Sequence, residues 1–184
     1  NAGWTRDSKS VLLNDRYDVW QCFTDGSAPR NLTEASGRRQ KTEFRVARIE
    51  PVDEDDDTRY IDPSKPLYLR AESQETFETG YYSDSLSGTA EPKRLLWGPR
   101  VYRVAVRARE ADVIVLTAER YDEFPDLHAT DTSFKSLRKV SDAGAQKDAF
   151  LWGSAEIVRF RNVDGVPLKA VLYKPENFDP KKKY

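Results

Sequence analysis

Apolar residues in this chain come in short runs broken by polar turns. Residues 10–13 (SVLL) are apolar, and residues 17–23 (YDVWQCF) alternate. Asn14, Asp15 and Arg16 between them make a tight turn. Alternation with a period of two marks a half-buried strand. Thr24-Asp25-Gly26-Ser27 is the next turn, and residues 29–33 (PRNLT) read as a short outer strand. A polar stretch over 34–41 leads to a strand over 43–50, where Phe44, Val46, Ala47 and Ile49 are the apolar positions. An acidic loop, Asp53-Glu54-Asp55-Asp56-Asp57, follows.

Lys65-Pro66 opens a second set, with strands over 67–71, 80–84 and 93–96 and a turn at Leu86-Ser87-Gly88. Residues 101–108 bridge onward in strict alternation. Val101, Arg103, Ala105 and Arg107 share one side; Tyr102, Val104, Val106 and Ala108 share the other. A third set has strands over 111–118, 126–131 and 137–141, with a turn at Thr132-Ser133-Phe134. No segment holds a helical period for long, although residues 134–140 have room for one short turn.

The three sets resemble one another, and each closes on an aliphatic residue: Leu32, Leu95 and Val140. The second interval, 45 residues, fits the period of about 40–45 residues of four-stranded propeller blades. The first, 63 residues, is longer, and the acidic insertion around Asp55 accounts for the excess. The expected fold class is therefore all-β: a partial β-propeller of about three blades of antiparallel strands. A blade without a neighbour leaves apolar surface and strand edges open, so self-association through open propeller edges is expected.

The last thirty residues add a hairpin. Two apolar runs, 157–160 and 168–173, flank Val163-Asp164-Gly165-Val166. Asp-Gly between such runs signals a tight turn, because Gly tolerates the positive φ that the turn requires. Lys174-Pro175 ends the second strand, since Pro cannot donate to a ladder. Asn1 and Ala2 look like a tag remnant, and with no Met in the chain it reads as an excised piece of a larger protein.

Composition narrows the function classes. Charged residues make up 33% and net charge is −1, so nothing favours a nucleic-acid partner or an anionic membrane surface. No run approaches transmembrane length. Aromatic residues at 11% argue against disorder. The single Cys22 has no internal disulfide partner and reads as a buried apolar filler beside Trp20 and Phe23; the compartment stays unread.

Candidate chemistry is sparse. His128, between Leu127 and Ala129, reads as a structural strand histidine. The acidic run at 53–57 has the carboxylates for a hard cation but no EF-hand spacing, and reads as a solvated loop. Asp122-Glu123 reads as loop surface. Asn31-Leu32-Thr33 is a formal glycosylation sequon, a pattern frequent by chance. Trp4, Trp20, Trp97 and Trp152 fall on successive repeats, as packing aromatics between blades would.

From Leu151 onward the sequence LWGSAEIVRFRNVDGVPLKAVLYKPENFDPKKKY resembles the prolyl oligopeptidase family of serine peptidases, dipeptidyl-peptidase-like members included. It looks like the junction where that family's N-terminal β-propeller passes into the first hairpin of its α/β-hydrolase domain. Trp4 through Arg30-Asn31-Leu32-Thr33, with Asp18 to Trp20, resembles a propeller blade; Glu123-Phe124-Pro125-Asp126-Leu127 and Ser141-Asp142 resemble the final blade of bacterial members. With the tag remnant at 1–2 set aside, the resemblance implies a partial propeller over 3–150, and over 151–184 the junction and first hairpin of a truncated catalytic domain.

The family's chemistry needs a nucleophilic Ser in G-x-S-x-G with Asp and His later in the chain. Gly153-Ser154-Ala155 lacks the second Gly, and His128 precedes the junction. No catalytic, cofactor-binding or metal residue is therefore assigned, no cofactor is expected, and the chain by itself is expected to be inactive. The resemblance implies a substrate-gating propeller from a parent that cleaves short peptides by acyl transfer, with a peptide substrate, a catalytic domain packed on this module, and a periplasmic or secreted bacterial setting. The alternative is a non-catalytic propeller that scaffolds protein or glycan partners.

Overall fold

A computed structural model describes residues 2–51 and 60–183, so the acidic run at 53–57 lies outside the described residues. Within them the strands form three four-stranded antiparallel sheets and a separate two-stranded hairpin. The first sheet is β1 (Gly3–Trp4), β2 (Ser10–Asn14), β3 (Val19–Phe23) and β4 (Arg30–Asn31). A helix of five residues, α1 (Ser36–Gln40), leads to the second sheet. That sheet is β5 (Thr42–Val46), β6 (Leu67–Ser73), β7 (Thr79–Asp84) and β8 (Lys93–Gly98). The third is β9 (Val101–Arg107), β10 (Ile114–Arg120), β11 (Glu123–Thr130) and β12 (Arg138–Lys139). A 3-10 helix, Ala143–Ala149, precedes the hairpin of β13 (Ser154–Arg161) and β14 (Pro167–Lys174). Each sheet runs in chain order. The fold is all-β, a partial β-propeller of three blades followed by a hairpin.

The core sits in two seams between blades, and the middle blade shows why. Side chains of a strand alternate between faces. Leu67, Leu69 and Ala71 of β6 therefore join Leu12, Val19 and Leu32 of the first blade, while Tyr68 joins Tyr102, Ile114 and Leu116 of the third. Tyr82 and Tyr81 of β7 divide the same way. Burying one Leu stabilises by about 1.5–3 kcal/mol, and in this strand both faces contribute. At the seams Phe44 meets Tyr82 edge-on at 5.1 Å, and Tyr81 stacks on Phe134 at 5.3 Å.

The outer blades have one open face each. On the first, Trp4, Val11, Leu13, Trp20 and Cys22 share a face by register, with Trp4 45% exposed. On the third, Val106, Leu127 and Val140 are exposed.

Several sequence expectations change in the structure. The second blade begins at Thr42, not at Lys65, so the acidic insertion lies inside a blade between β5 and β6. The polar stretch over 34–41 holds α1; five residues are too few for an apolar period to show. Residues 134–140 form no helical turn, because Phe134 takes a left-handed φ of 53° and β12 follows. Residues 111–113 belong to the loop before β10. The strict alternation over 101–108 breaks at a register shift between Val115 and Leu116: Val104 pairs with Leu116 and Val106 with Val115, which leaves Ala105 as the extra residue of a bulge. Val106 is thereby turned out to 57% exposure and Arg107 falls opposite buried Ile114. The second blade's counterpart of Leu32 is Trp97, two residues after Leu95. Trp97 lies opposite Gly80, as Leu32 bonds Val19 and Val140 bonds Leu127.

The tryptophans do not share one role. Trp97 alone packs on an inter-blade core, edge-on to Tyr82 at 5.9 Å. Trp20 lies opposite Leu13 on the open face and donates its indole N–H to Asp15 Oδ2 at 3.1 Å. Trp4 and Trp152 are exposed. Cys22 is a free, partly exposed thiol on that same open face rather than a core filler, because strand alternation points it away from Val19 and Gln21.

Candidate functional site

Two aspartates organise the ends of the first and third blades. Asp18, just before β3, is fully buried. Its Oδ1 accepts the Thr33 hydroxyl at 2.7 Å and the Gly37 N–H at 3.0 Å. The N-cap of α1 is Ala35, which has no side chain to cap with, so Asp18 satisfies an orphan donor at the helix start from another element. A Cβ on Gly37 would stand 2.6 Å from the Tyr17 carbonyl oxygen and 2.8 Å from Asp18 Oδ1; only glycine lets the carboxylate approach. Asp126 in β11 repeats the device. Its Oδ1 accepts the Ser141 hydroxyl and the Ala143 N–H, each at 2.7 Å, and its Oδ2 meets Lys139 Nζ at 2.9 Å. The hydroxyl stands fifteen residues after the aspartate in both blades. Ser141 and Lys139 hold the Asp126 carboxyl down at about 2. In the middle blade Thr79 takes the place: its hydroxyl donates to the Arg100 carbonyl at 2.8 Å and accepts the Tyr102 N–H at 3.2 Å.

The hairpin folds back on the turns that join the second and third strands of two blades. Gly165 takes a φ of +79° at its tip, as the Asp-Gly pair requires. The Asn162 side-chain oxygen accepts the N–H of Asp164 at 3.0 Å and of Val166 at 2.8 Å. Arg159, Lys169 and Tyr173 share one face by register. Lys169 donates to the Gln74 carbonyl at 2.7 Å and to Glu75 Oε2 at 2.9 Å, and Arg159 donates to the Glu75 carbonyl at 2.8 Å. Tyr173 packs on Tyr121 at 4.8 Å, and the Trp152 indole N–H donates to the Tyr121 carbonyl at 2.6 Å. The opposite face carries Val158, Phe160, Leu168, Ala170 and Leu172, of which Phe160, Leu168 and Leu172 are 40–49% exposed, with the Glu156–Lys174 ion pair at its open end.

Three clefts surround this junction. One of about 650 Å³ lies on the third blade, among Arg100, Glu123, Asp126, His128 and Lys139. One of about 600 Å³ lies between Lys41, Glu75 and the hairpin residues Arg159, Arg161 and Lys169. A third, about 550 Å³, is lined by Phe150, Trp152 and Phe178 beyond the 3-10 helix.

The residues singled out in the sequence take these places. His128 Nδ1 pairs with the main-chain oxygen of Asp126 at 3.1 Å rather than with a serine. Asp122 and Glu123 are each engaged by arginine, Asp122 by Arg120 and Glu123 by Arg100 in a bidentate contact at 2.5 and 2.9 Å. In the sequon, Leu32 and Thr33 are buried and Asn31 lies in β4. Ser154 opens β13 and is exposed. The structure brings Asp122, Glu123 and His128 to one cleft and leaves Asn31 and Cys22 elsewhere. Among the described residues no group of three or more His, Cys, Asp or Glu is placed to hold a metal ion, and no helix is long and apolar enough to cross a membrane. Sequence reading missed the Asp18 and Asp126 devices. The signal was there, as Asp followed by Thr or Ser at the same spacing, but only the strand pairing shows that these residues touch.

No described protein family and no curated protein matches the chain. Solved structures do. A presumptive dipeptidyl aminopeptidase IV from Bacteroides ovatus matches with a TM-score of 0.66 and 15% identity over 99% of this chain and 27% of that one. A variant of the AtxE2 isopeptidase matches with a TM-score of 0.56 and 12% identity over 95% of this chain and 25% of that one. The chain spans about a quarter of the length of these proteins. The likeness is one of fold, and both neighbours are named as peptidases.

Proposed function

We propose that this chain is the substrate-gating, non-catalytic portion of a serine peptidase of the prolyl oligopeptidase type. Residues 3–150 form part of its propeller and residues 151–184 the junction and first hairpin of its catalytic domain. The observation that carries the reading is the hairpin: three blades run straight into it, it folds back on blades two and three, and the likeness to the dipeptidyl aminopeptidase covers 99% of the chain. The apolar outer face of the hairpin supports a further domain packed there, since paired apolar strands are stable when that face is covered. In this reading the triad of Ser, Asp and His and the oxyanion hole belong to that domain, and the propeller admits short peptides and excludes folded proteins.

The test is hydrolysis of short chromogenic peptides by the full-length protein, with the 184-residue chain alongside. Turnover by the full-length protein that an organophosphonate abolishes, and none by the chain alone, is expected. Absence of turnover by both would overturn the peptidase reading in favour of a non-catalytic scaffold.

A further inference from the structure

The cleft beneath the hairpin holds an imbalance of charge. Its ionic side chains are Lys41, Arg159, Arg161 and Lys169 against one carboxylate, Glu75. Both oxygens of that carboxylate are taken, Oε1 by Lys41 at 2.9 Å and Oε2 by Lys169 at 2.9 Å. The two ammonium groups hold the Glu75 carboxyl down at about 2, so it stays ionised, and the arginines' bonds go to main-chain carbonyls rather than to it. Arg159 donates to the Glu75 main-chain oxygen at 2.8 Å, and Arg161 donates to the Gly165 carbonyl at 2.6 Å. Carbonyls orient these guanidinium groups without neutralising them. Four positive charges and one negative therefore face a space of about 600 Å³, in a chain whose net charge is −1.

The geometry suits an oxyanion. Arg159 and Arg161 stand two apart on β13 and share its face with Lys169, which lies opposite Arg159. Residues two apart on a strand are about 7 Å from each other along the chain, a span over which two guanidinium forks reach different oxygens of one ligand. Guanidinium N–H pairs match the oxygens of carboxylates and phosphates, and such charge-assisted bonds are short and strong. The elements that meet here are distinct, the end of α1, the turn between β6 and β7, and the hairpin, so an anion in the cleft ties the hairpin to the second blade and to the helix that leads into it.

We infer that the cleft between Lys41, Arg159, Arg161 and Lys169 is a binding site for a small multivalent oxyanion, a phosphate or a di- or tricarboxylate. The inference does not depend on the peptidase reading. Inorganic pyrophosphate and citrate are titrated separately into the 184-residue chain at fixed ionic strength, with chloride as control, and read by calorimetry and by the backbone amides of β13 and the turn between β6 and β7. Saturable binding of either, with shifts confined to those elements, is expected, and the two arms distinguish phosphate from carboxylate chemistry. Arg161→Gln, whose bond to the Gly165 carbonyl stays within its own hairpin, should weaken binding by roughly tenfold or more; Arg138→Gln, an equal charge change on exposed β12, should not. Glu75→Gln should leave binding intact or tighten it. Linear, unsaturable titrations, or equal losses in the Arg161 and Arg138 variants, would overturn the site and show only screening by salt.

Discussion

Removing the buried carboxylate of Asp18 tests how the first blade is closed. In Asp18→Ala the Gly37 N–H loses its acceptor at 3.0 Å, and the Ala35 N-cap has no side chain to replace it. The Thr33 hydroxyl loses its bond at 2.7 Å, but Asn31 Oδ1 stands 3.0 Å away as a substitute. An unsatisfied buried donor costs about 1–3 kcal/mol. Against this, Asp18 Oδ2 has no hydrogen-bond partner, and its nearest cation, Arg38 Nε, is 4.0 Å away; deleting the carboxylate recovers part of its desolvation cost. The expected net loss is about 1–2 kcal/mol. Asp18→Asn keeps an oxygen for both donors and should lose about half as much. Urea unfolding followed by tryptophan fluorescence reads it, because Trp20 sits one strand position into the same blade. Blades contact only their neighbours, so the first blade should melt separately from the third. If both variants unfold within about 0.5 kcal/mol of the parent, the carboxylate does not close the blade and the reasoning fails.

Other expectations follow from the same contacts. Leu69→Ala removes a fully buried side chain from the seam between the first and second blades, and should cost about 2–5 kcal/mol in the same urea experiment; a loss below about 1 kcal/mol would mean that the seam collapses around the gap. The Asp126 carboxyl lies at about 2, below its ordinary 3.8, so its contribution is fully present above about 3.8 and disappears as pH falls through 2. Acid unfolding of Asp126→Asn should therefore lack that component, and identical acid curves for parent and variant would exclude it. The Asp84 carboxyl moves the other way, to about 6, because burial penalises its charged form. Its contribution is present below 3.8 and lost as pH rises through 6, and a carboxyl carbon-13 titration with a midpoint near 4 would contradict this.

Much of the architecture was legible in the sequence, because strand alternation and turn chemistry are local. The hairpin at Asp164-Gly165, the short strands and the array of about three blades were all readable from period two and from residues that tolerate positive φ. So was the absence of a nucleophile motif, which is a matter of residue order. Other features depended on which residues meet. The bulge that turns Val106 outward is invisible in the pattern, since one extra residue flips a face without changing composition. The roles of Trp20 and Trp97 differ because one blade has a single neighbour and the middle blade has two. Asp18 and Asp126 read as ordinary polar positions in strands until β3–β4 and β11–β12 pairing sets each beside its hydroxyl. The charge of Arg159 and Arg161 was plain in the sequence, yet only the folding of the hairpin onto Glu75 and Lys41 gathers it into a cleft. Local sterics determine strands and turns; tertiary pairing alone decides which charges and rings share a space.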